Sequence, residues 1–254
     1  RFVLLVDQLD ALSSVHFQNQ TALNTLLGLI TSVVGLQGAR VLVSCRSFHA
    51  EFDPSLRTLK TKRRFTLRSF SASEINRVIS QFGLCTRDLG QDLIELLKTP
   101  LHLSVFVRLL PASIRSLAGL KSLQDLYTEL WAQMENTLDE ISVSAVTEAA
   151  YRLVDLIDSE QSLNQPRSKL RGGETGLKIL ESNDLIVSQT GQISFFHQTL
   201  FDYLFAKRLV MDNVSLATRV LAGNQSLFER PQLLQSMEYL RALDGKRYIS
   251  ELRT

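Results

Sequence analysis

Cys45 and Cys85 are the only cysteines among the 254 residues. They are too few for a disulfide framework and lack the partners of a zinc site, so a reducing, cytoplasmic setting is expected. Long apolar runs are missing too. The longest, Leu26 to Leu36, is interrupted by Gly28, Thr31, Ser32 and Gly35 and falls short of the roughly 20 residues a membrane-spanning helix needs. Neither a signal peptide nor a membrane partner is expected. An excess of one charge is also absent: 28 Lys and Arg oppose 26 Asp and Glu, for a net charge of +2. Bulk attraction to nucleic acid or to an anionic membrane is therefore excluded as an organising feature. There are no tandem repeats and no low-complexity tracts. What is present is 44% apolar and 21% charged residues in a chain longer than the usual single domain, a composition that predicts two or three packed units.

The first of these is α/β in pattern. Phe2-Val3-Leu4-Leu5-Val6 fits a strand buried on both faces, and it runs into Asp7-Gln8-Leu9-Asp10, as a Walker B strand does. Asn19 to Val34 carries Ala22, Leu23, Leu26, Leu27 and Ile30 at helical spacing, Gly35 and Gly38 break it, and Arg40-Val41-Leu42-Val43-Ser44 follows as a second strand. Strand, crossover helix and strand predict a parallel unit. Arg64-Phe65-Thr66-Leu67 is expected as a third strand. The Gly-x-x-x-x-Gly-Lys-Ser/Thr loop that precedes a Walker B strand in phosphate-loop NTPases occurs nowhere. Together with a first residue that is Arg1, this leads us to expect a segment of a longer polypeptide, whose parallel sheet by itself exposes apolar surface and an unpaired edge.

The rest is mostly helical in pattern. Ser71 and Glu74 match a capping box ahead of a helix over Ala72 to Phe82. Thr99-Pro100 places an N-cap before a proline at the first helical position. Leu103, Phe106, Val107 and Leu110 form one core stripe, and Leu123, Leu126, Leu130, Met134 and Leu138 form another. An amphipathic helix through Val146 to Ile157, a polar loop with Arg167, Lys169 and Arg171, and a short helix over Glu174 to Ser182 come next. Two strands around Gln189-Thr190-Gly191-Gln192 then predict a hairpin with a glycine turn. Helix, helix, hairpin is the order of a winged helix.

Five residues stand out as candidates for chemistry. Asp7, at the end of a buried strand, faces a cation or solvent at the sheet edge; the alternative is a cap on the strand-to-helix turn. Asp10 can polarise water or help hold a metal, or it is an exposed acid near a helix start. Arg46, two residues past the second strand, projects from the same edge as Asp7 and can reach a terminal phosphate, or it is an ordinary exposed arginine. His197 opens the helix Gln198 to Leu209 and can donate to an anion there, or it is a capped or packed histidine. Pro100 leads its helix. The basic run Arg57, Lys60, Lys62, Arg63 and Arg64 lacks interleaved aromatics and reads as a solvated loop rather than a nucleic-acid contact. Glu174 to Ser182, with Glu174 and Glu181 against Lys178, makes a poor duplex-reading helix.

Three separated motifs agree in order and spacing. Leu4-Leu5-Val6-Asp7-Gln8-Leu9-Asp10, Val41-Leu42-Val43-Ser44-Cys45-Arg46 and Phe196-His197-Gln198-Thr199-Leu200-Phe201-Asp202-Tyr203-Leu204-Phe205-Ala206 resemble the Walker B, arginine-sensor and winged-helix motifs of NACHT-type STAND ATPases. Leu97-Lys98-Thr99-Pro100-Leu101-His102-Leu103 looks like the proline-led helix of their small helical domain. The resemblance covers residues 1 to about 210. It implies an α/β plus mostly α chain: 1–70 as the C-terminal part of the NTPase domain, 71–141 as a helical domain, 142–212 as a winged helix and 213–254 as the start of a further helical region. It also implies a signalling switch, in prokaryotic defence or a related role, that binds ADP as a closed monomer and exchanges it for ATP when a C-terminal sensor region finds its ligand. The switch then forms a homo-oligomer that activates an N-terminal effector.

By that resemblance Asp7 holds Mg²⁺, Arg46 senses the γ-phosphate, His197 reaches the β-phosphate of ADP and Pro100 packs near the base. Asp10 orients water. Gln8 stands where the family often has a small residue and Ala11 where it often has an acid, so hydrolysis is expected to be slow and confined to a protein with its phosphate loop. The 254 residues alone are expected neither to bind nor to hydrolyse ATP. The rival readings are a winged-helix DNA-binding regulator and a scaffold with a degenerate nucleotide site.

Overall fold

A computed structural model describes residues 2–9, 12, 20–59, 61–110, 117, 119–160, 162–212, 215–216, 218 and 229–253. The fold is mixed: mostly helical, with one small parallel sheet and one small antiparallel sheet. The chain divides into two compact units, one of residues 1–67 with 220–231 and the other of residues 68–219 with 232–254. No helix among the described residues is long and apolar enough to cross a membrane.

In the first unit β1 (Phe2–Val6) pairs in parallel with β2 (Ala39–Val43), Phe2 opposite Ala39 and Val6 opposite Val43. The crossover is α1 (Gln20–Val34), the helix that the period of its leucines predicts. Side chains alternate across a strand, so Val6, Val41 and Val43 turn toward a core of Leu9, Leu23, Ile30 and Leu56. The opposite face is bare: Leu5 is 68% and its register partner Leu42 58% exposed. Parallel sheets are normally covered on both faces, and among the described residues β1 has β2 as its one neighbour. Two short helices follow β2 in this unit, α2 (Ser47–Phe52) and α3 (Pro54–Arg57), the second capped by Asp53.

The expected third strand does not form. Arg64 to Leu67 has no ladder, and Phe65 and Leu67 are 80% and 98% exposed. Its β-forming side chains meet no adjacent strand edge, and strand formation depends on such a partner more than on propensity.

The second unit begins with α4 (Ala72–Ile79), where Ser71 and Glu74 make the reciprocal capping box; the helix tightens into a 3₁₀ turn at Ser80–Phe82. α5 (Gln91–Leu97) precedes α6 (Pro100–Leu109), which starts at its proline. α7 (Leu123–Glu135) opens on a second capping box, Ser122 with Asp125, and α8 (Glu140–Glu160) follows.

A short strand β3 (Gln165–Pro166), a 3₁₀ turn, α9 (Glu174–Ser182) and the hairpin β4 (Ile186–Gln189) and β5 (Gln192–Phe195) come next. The three strands form an antiparallel sheet in the order β3-β5-β4. Pro166, which has no amide to donate, sits on the edge strand. The hairpin turns through Thr190 and Gly191, both at positive φ, as a two-residue type I′ turn requires.

α10 (Gln198–Met211) is the centre of the unit. Every residue from Leu200 to Ala206 is buried, so the helix shows no polar stripe. Tyr203 packs between Tyr127 at 5.6 Å and Tyr239 at 5.9 Å, and the second of these comes from α11 (Glu229–Leu243). α12 (Gly245–Leu252) ends the described chain, its Arg247 donating to the carbonyl of Val210 at 2.8 Å.

Candidate functional site

Parallel pairing sends the ends of β1 and β2 to the same edge. Asp7 follows Val6, and Ser44 follows Val43, its register partner. The Ser44 hydroxyl donates to Asp7 Oδ1 and accepts the Gln8 amide at 2.8 Å. The Ser44 amide donates to the Val6 carbonyl at 2.9 Å, and the Leu9 amide to the Ser44 carbonyl at 3.0 Å. Gln8 reaches this turn at φ 51°, a left-handed conformation unusual for a side-chain-bearing residue. The acid strand is thus clamped to its neighbour at the point where Asp7 emerges, and Asp7 is exposed.

Arg46 lies two residues beyond Ser44 on the same edge, exposed, its carbonyl accepting the Ala50 amide at 3.0 Å at the start of α2. Asp7 and Arg46 therefore share one end of one sheet. Asp10 lies outside the described residues, as does Ala11. A carboxylate beside a hydroxyl is a hard oxygen donor set of the kind Mg²⁺ accepts, and that ion usually takes one or two carboxylates and completes its shell with water and phosphate. Among the described residues no group of three or more His, Cys, Asp or Glu is arranged to hold a metal.

His197 and Pro100 belong to the second unit. His197 is the N-cap of α10, its Nδ1 accepting the Thr199 amide at 3.1 Å. The histidine is thus a cap, one of the two readings that the sequence left open for it, and it is exposed. Thr199 Oγ1 is 2.9 Å from that nitrogen and 2.6 Å from the hydroxyl of Tyr127. Phe196, just before the cap, lies 4.4 Å beneath the Arg108 guanidinium, which donates to the Asp184 carbonyl at 3.0 Å. Arg108 is in the last turn of α6, and Pro100 opens the same helix. Eight residues at 1.5 Å each separate them by about 12 Å. Pro100 is exposed at the far end of that helix from Phe196, so the two candidates on this unit do not touch.

Ser44, Tyr127, Thr199 and Arg108 escaped the sequence reading. Ser44 stands inside a motif already singled out, between an apolar strand and Arg46. Tyr127 is 72 positions from Thr199, and no local pattern marks that pair.

The basic loop before α9 is used internally. Arg167 pairs with Glu181 and with Glu174 at 3.0 Å, and donates to Ser188 Oγ at 3.0 Å; Lys169 pairs with Glu160. The Arg167 guanidinium, followed by the Ser188 hydroxyl, holds the Glu181 carboxyl below the usual glutamate range. α9 therefore offers a charge-neutralised face. No family model matches the chain, and no curated protein matches it.

Proposed function

We propose that this chain is the central part of a nucleotide-dependent signalling switch of the NACHT-type STAND class. The observation that carries the reading is the clamped edge: Asp7 and Arg46 leave adjacent parallel strands on the same side, joined through Ser44. Asp7 would hold Mg²⁺ and Arg46 would meet the terminal phosphate of ATP, a pairing of carboxylate with metal and guanidinium with phosphate that this chemistry requires. In this reading residues 142–212 form a winged helix, consistent with the β3-β5-β4 sheet and its two-residue turn. His197, exposed on the cap of α10, would donate to the β-phosphate of ADP, and Pro100 would lie near the base. Asp10 would orient water for a slow hydrolysis.

The switch would close on ADP and open on ATP, because a ligand shared by two domains biases their arrangement only as far as it binds one arrangement better. The rest of the proposal follows the class: a cytoplasmic protein, a C-terminal region sensing an unidentified ligand, a homo-oligomer on activation and an N-terminal effector, in prokaryotic defence or a related response. It also requires a phosphate-binding loop, encoded upstream of Arg1.

The test is the reading frame of the whole gene, followed by nucleotide release from the protein it encodes. The expected result is a Gly-x-x-x-x-Gly-Lys-Ser/Thr loop ahead of Arg1 and tightly held ADP. His197→Ala should speed release by about tenfold or more, the loss of one hydrogen bond to a charged group. A frame without the loop, or unchanged release, overturns the reading. The DNA-regulator alternative has its own test. With Arg167 and Lys169 committed to carboxylates, titration of the chain with duplex DNA is expected to show no salt-dependent binding, and a steep salt slope would favour that alternative.

A further inference from the structure

Of the three methionines, the one that closes α10 stands in the open. Met211 is 65% exposed, whereas Met134 is 4% exposed and Met237 is half-buried. Its sulfur nevertheless has a polar neighbour. Tyr151 Oη, from α8, is 3.6 Å from Met211 Sδ. A thioether has no proton to give, so the phenol is the donor, and it spends its proton on a weak acceptor. Burial pushes the Tyr151 phenol up to about 12, so at neutral pH it keeps the proton it donates. The Arg208 guanidinium steadies the residue, lying 5.5 Å from the ring centroid and donating to the Tyr151 carbonyl at 2.9 Å.

Oxidation of a methionine turns an apolar thioether into a polar sulfoxide, which disrupts a packed core. At Met211 there is little packing to lose, and a hydrogen-bond donor already stands beside the sulfur. Three rotatable bonds let the side chain turn a new oxygen toward that donor.

We propose that Met211 is a site of reversible oxidation by peroxides, with Tyr151 as the positioning residue that receives the sulfoxide. A lone pair of the sulfur attacks one oxygen of hydrogen peroxide, the S–O bond forms as the O–O bond breaks, and the departing hydroxide takes the remaining proton and leaves as water. The thioether is oxidised by two electrons and the peroxide is reduced by two. Methionine sulfoxide reductases, drawing on thiols, reverse the change. Met211 follows Val210, whose carbonyl holds Arg247 of α12 at 2.8 Å, so the oxidised residue lies where two helices join. Neither the site nor its test depends on a bound nucleotide.

The experiment treats the chain with dilute hydrogen peroxide, follows each methionine by peptide mass spectrometry and compares thermal melts before and after treatment. Met211 is expected to gain one oxygen about tenfold faster, or more, than Met134 and Met237. The melting temperature should rise by roughly 2–4 °C, the effect of one net hydrogen bond in a unit of this size, and a methionine sulfoxide reductase should return it to its starting value. Tyr151→Phe keeps the exposed sulfur and removes the donor, so Met211 should oxidise there without the rise. Met211→Leu, which still contains Cys45 and Cys85, should show no rise and so accounts for any oxidation of those thiols. If Tyr151→Phe fails to fold, the difference between the wild-type chain and Met211→Leu decides. Oxidation of Met211 no faster than that of Met134 and Met237 overturns the site. A treated wild-type chain without the rise, or a rise that persists in Tyr151→Phe, overturns the part played by Tyr151.

Discussion

Gly176→Val is expected to be among the most damaging single substitutions in the second unit, and even Gly176→Ala should cost about 3 kcal/mol, the upper end of the range for overpacking. A methyl at Gly176 would sit 2.1 Å from the carbonyl oxygen of Ala145 and 2.8 Å from Cβ of Ala149. The first is backbone of α8, so no side-chain rotation relieves it. α9 would have to lift off α8, where Leu177 and Leu180 are fully buried. In a unit of this size about 3 kcal/mol corresponds to a fall of roughly 6–12 °C in the melting temperature. Gly28→Ala is the contrasting control. Gly28 lies within α1 with nothing within 4 Å of the added methyl, and the exchange should be neutral or stabilising by up to about 1 kcal/mol. Thermal melts of the two variants check the pair; equal behaviour would mean that α8 and α9 do not approach as closely as described.

Alkaline pH should unfold the second unit cooperatively. Burial pushes the Tyr127 phenol up to about 12, and burial likewise raises Tyr203 and Tyr239. In the unfolded chain each phenol loses its proton near 10. Between pH 10 and 12 the unfolded state therefore binds fewer protons than the folded one, and stability falls as pH rises. Below pH 10 the contribution is fully present. For Tyr127 the loss across those two pH units is about 2.7 kcal/mol. Tyr203 and Tyr239, raised by burial in the same way, add to the same slope. Denaturant melts from pH 8 to 11.5 should show stability level to about pH 10 and then dropping steeply. Tyr127→Phe should flatten the slope. Stability that stays level from pH 10 to 11.5 would contradict this account.

Features encoded by neighbouring residues were readable in advance. The capping box of Ser71 and Glu74, the start of α6 at Pro100 and the Thr190-Gly191 turn each depend on a few adjacent positions, where backbone preferences decide. The parallel pair was readable from its apolar strands and the helix between them. Arg64 to Leu67 was misread because a strand needs a partner edge, and a stretch of β-forming residues carries no record of whether one is there. At the candidate site the sequence identified the ends of the strands but not the fastener between them. Ser44 clamps Asp7 through a contact spanning 37 positions, and Tyr127 reaches Thr199 across 72. Such pairs are products of tertiary packing, and no periodicity announces them.

The burial of α10 from Leu200 to Ala206 has a consequence for motion. Hydrogen exchange within a protein follows local opening where it is cheap and global unfolding where it is not. The residues from Leu200 to Ala206 are all buried, so the exchange of their amides should proceed only through unfolding of the whole unit. His197 is fixed to the first turn of that helix. Any event that displaces its imidazole by more than a side-chain rotation has to carry the slowest-exchanging part of the unit with it, as a rigid body. Hydrogen exchange on the chain should then find the amides from Leu200 to Ala206 among the most protected of the second unit.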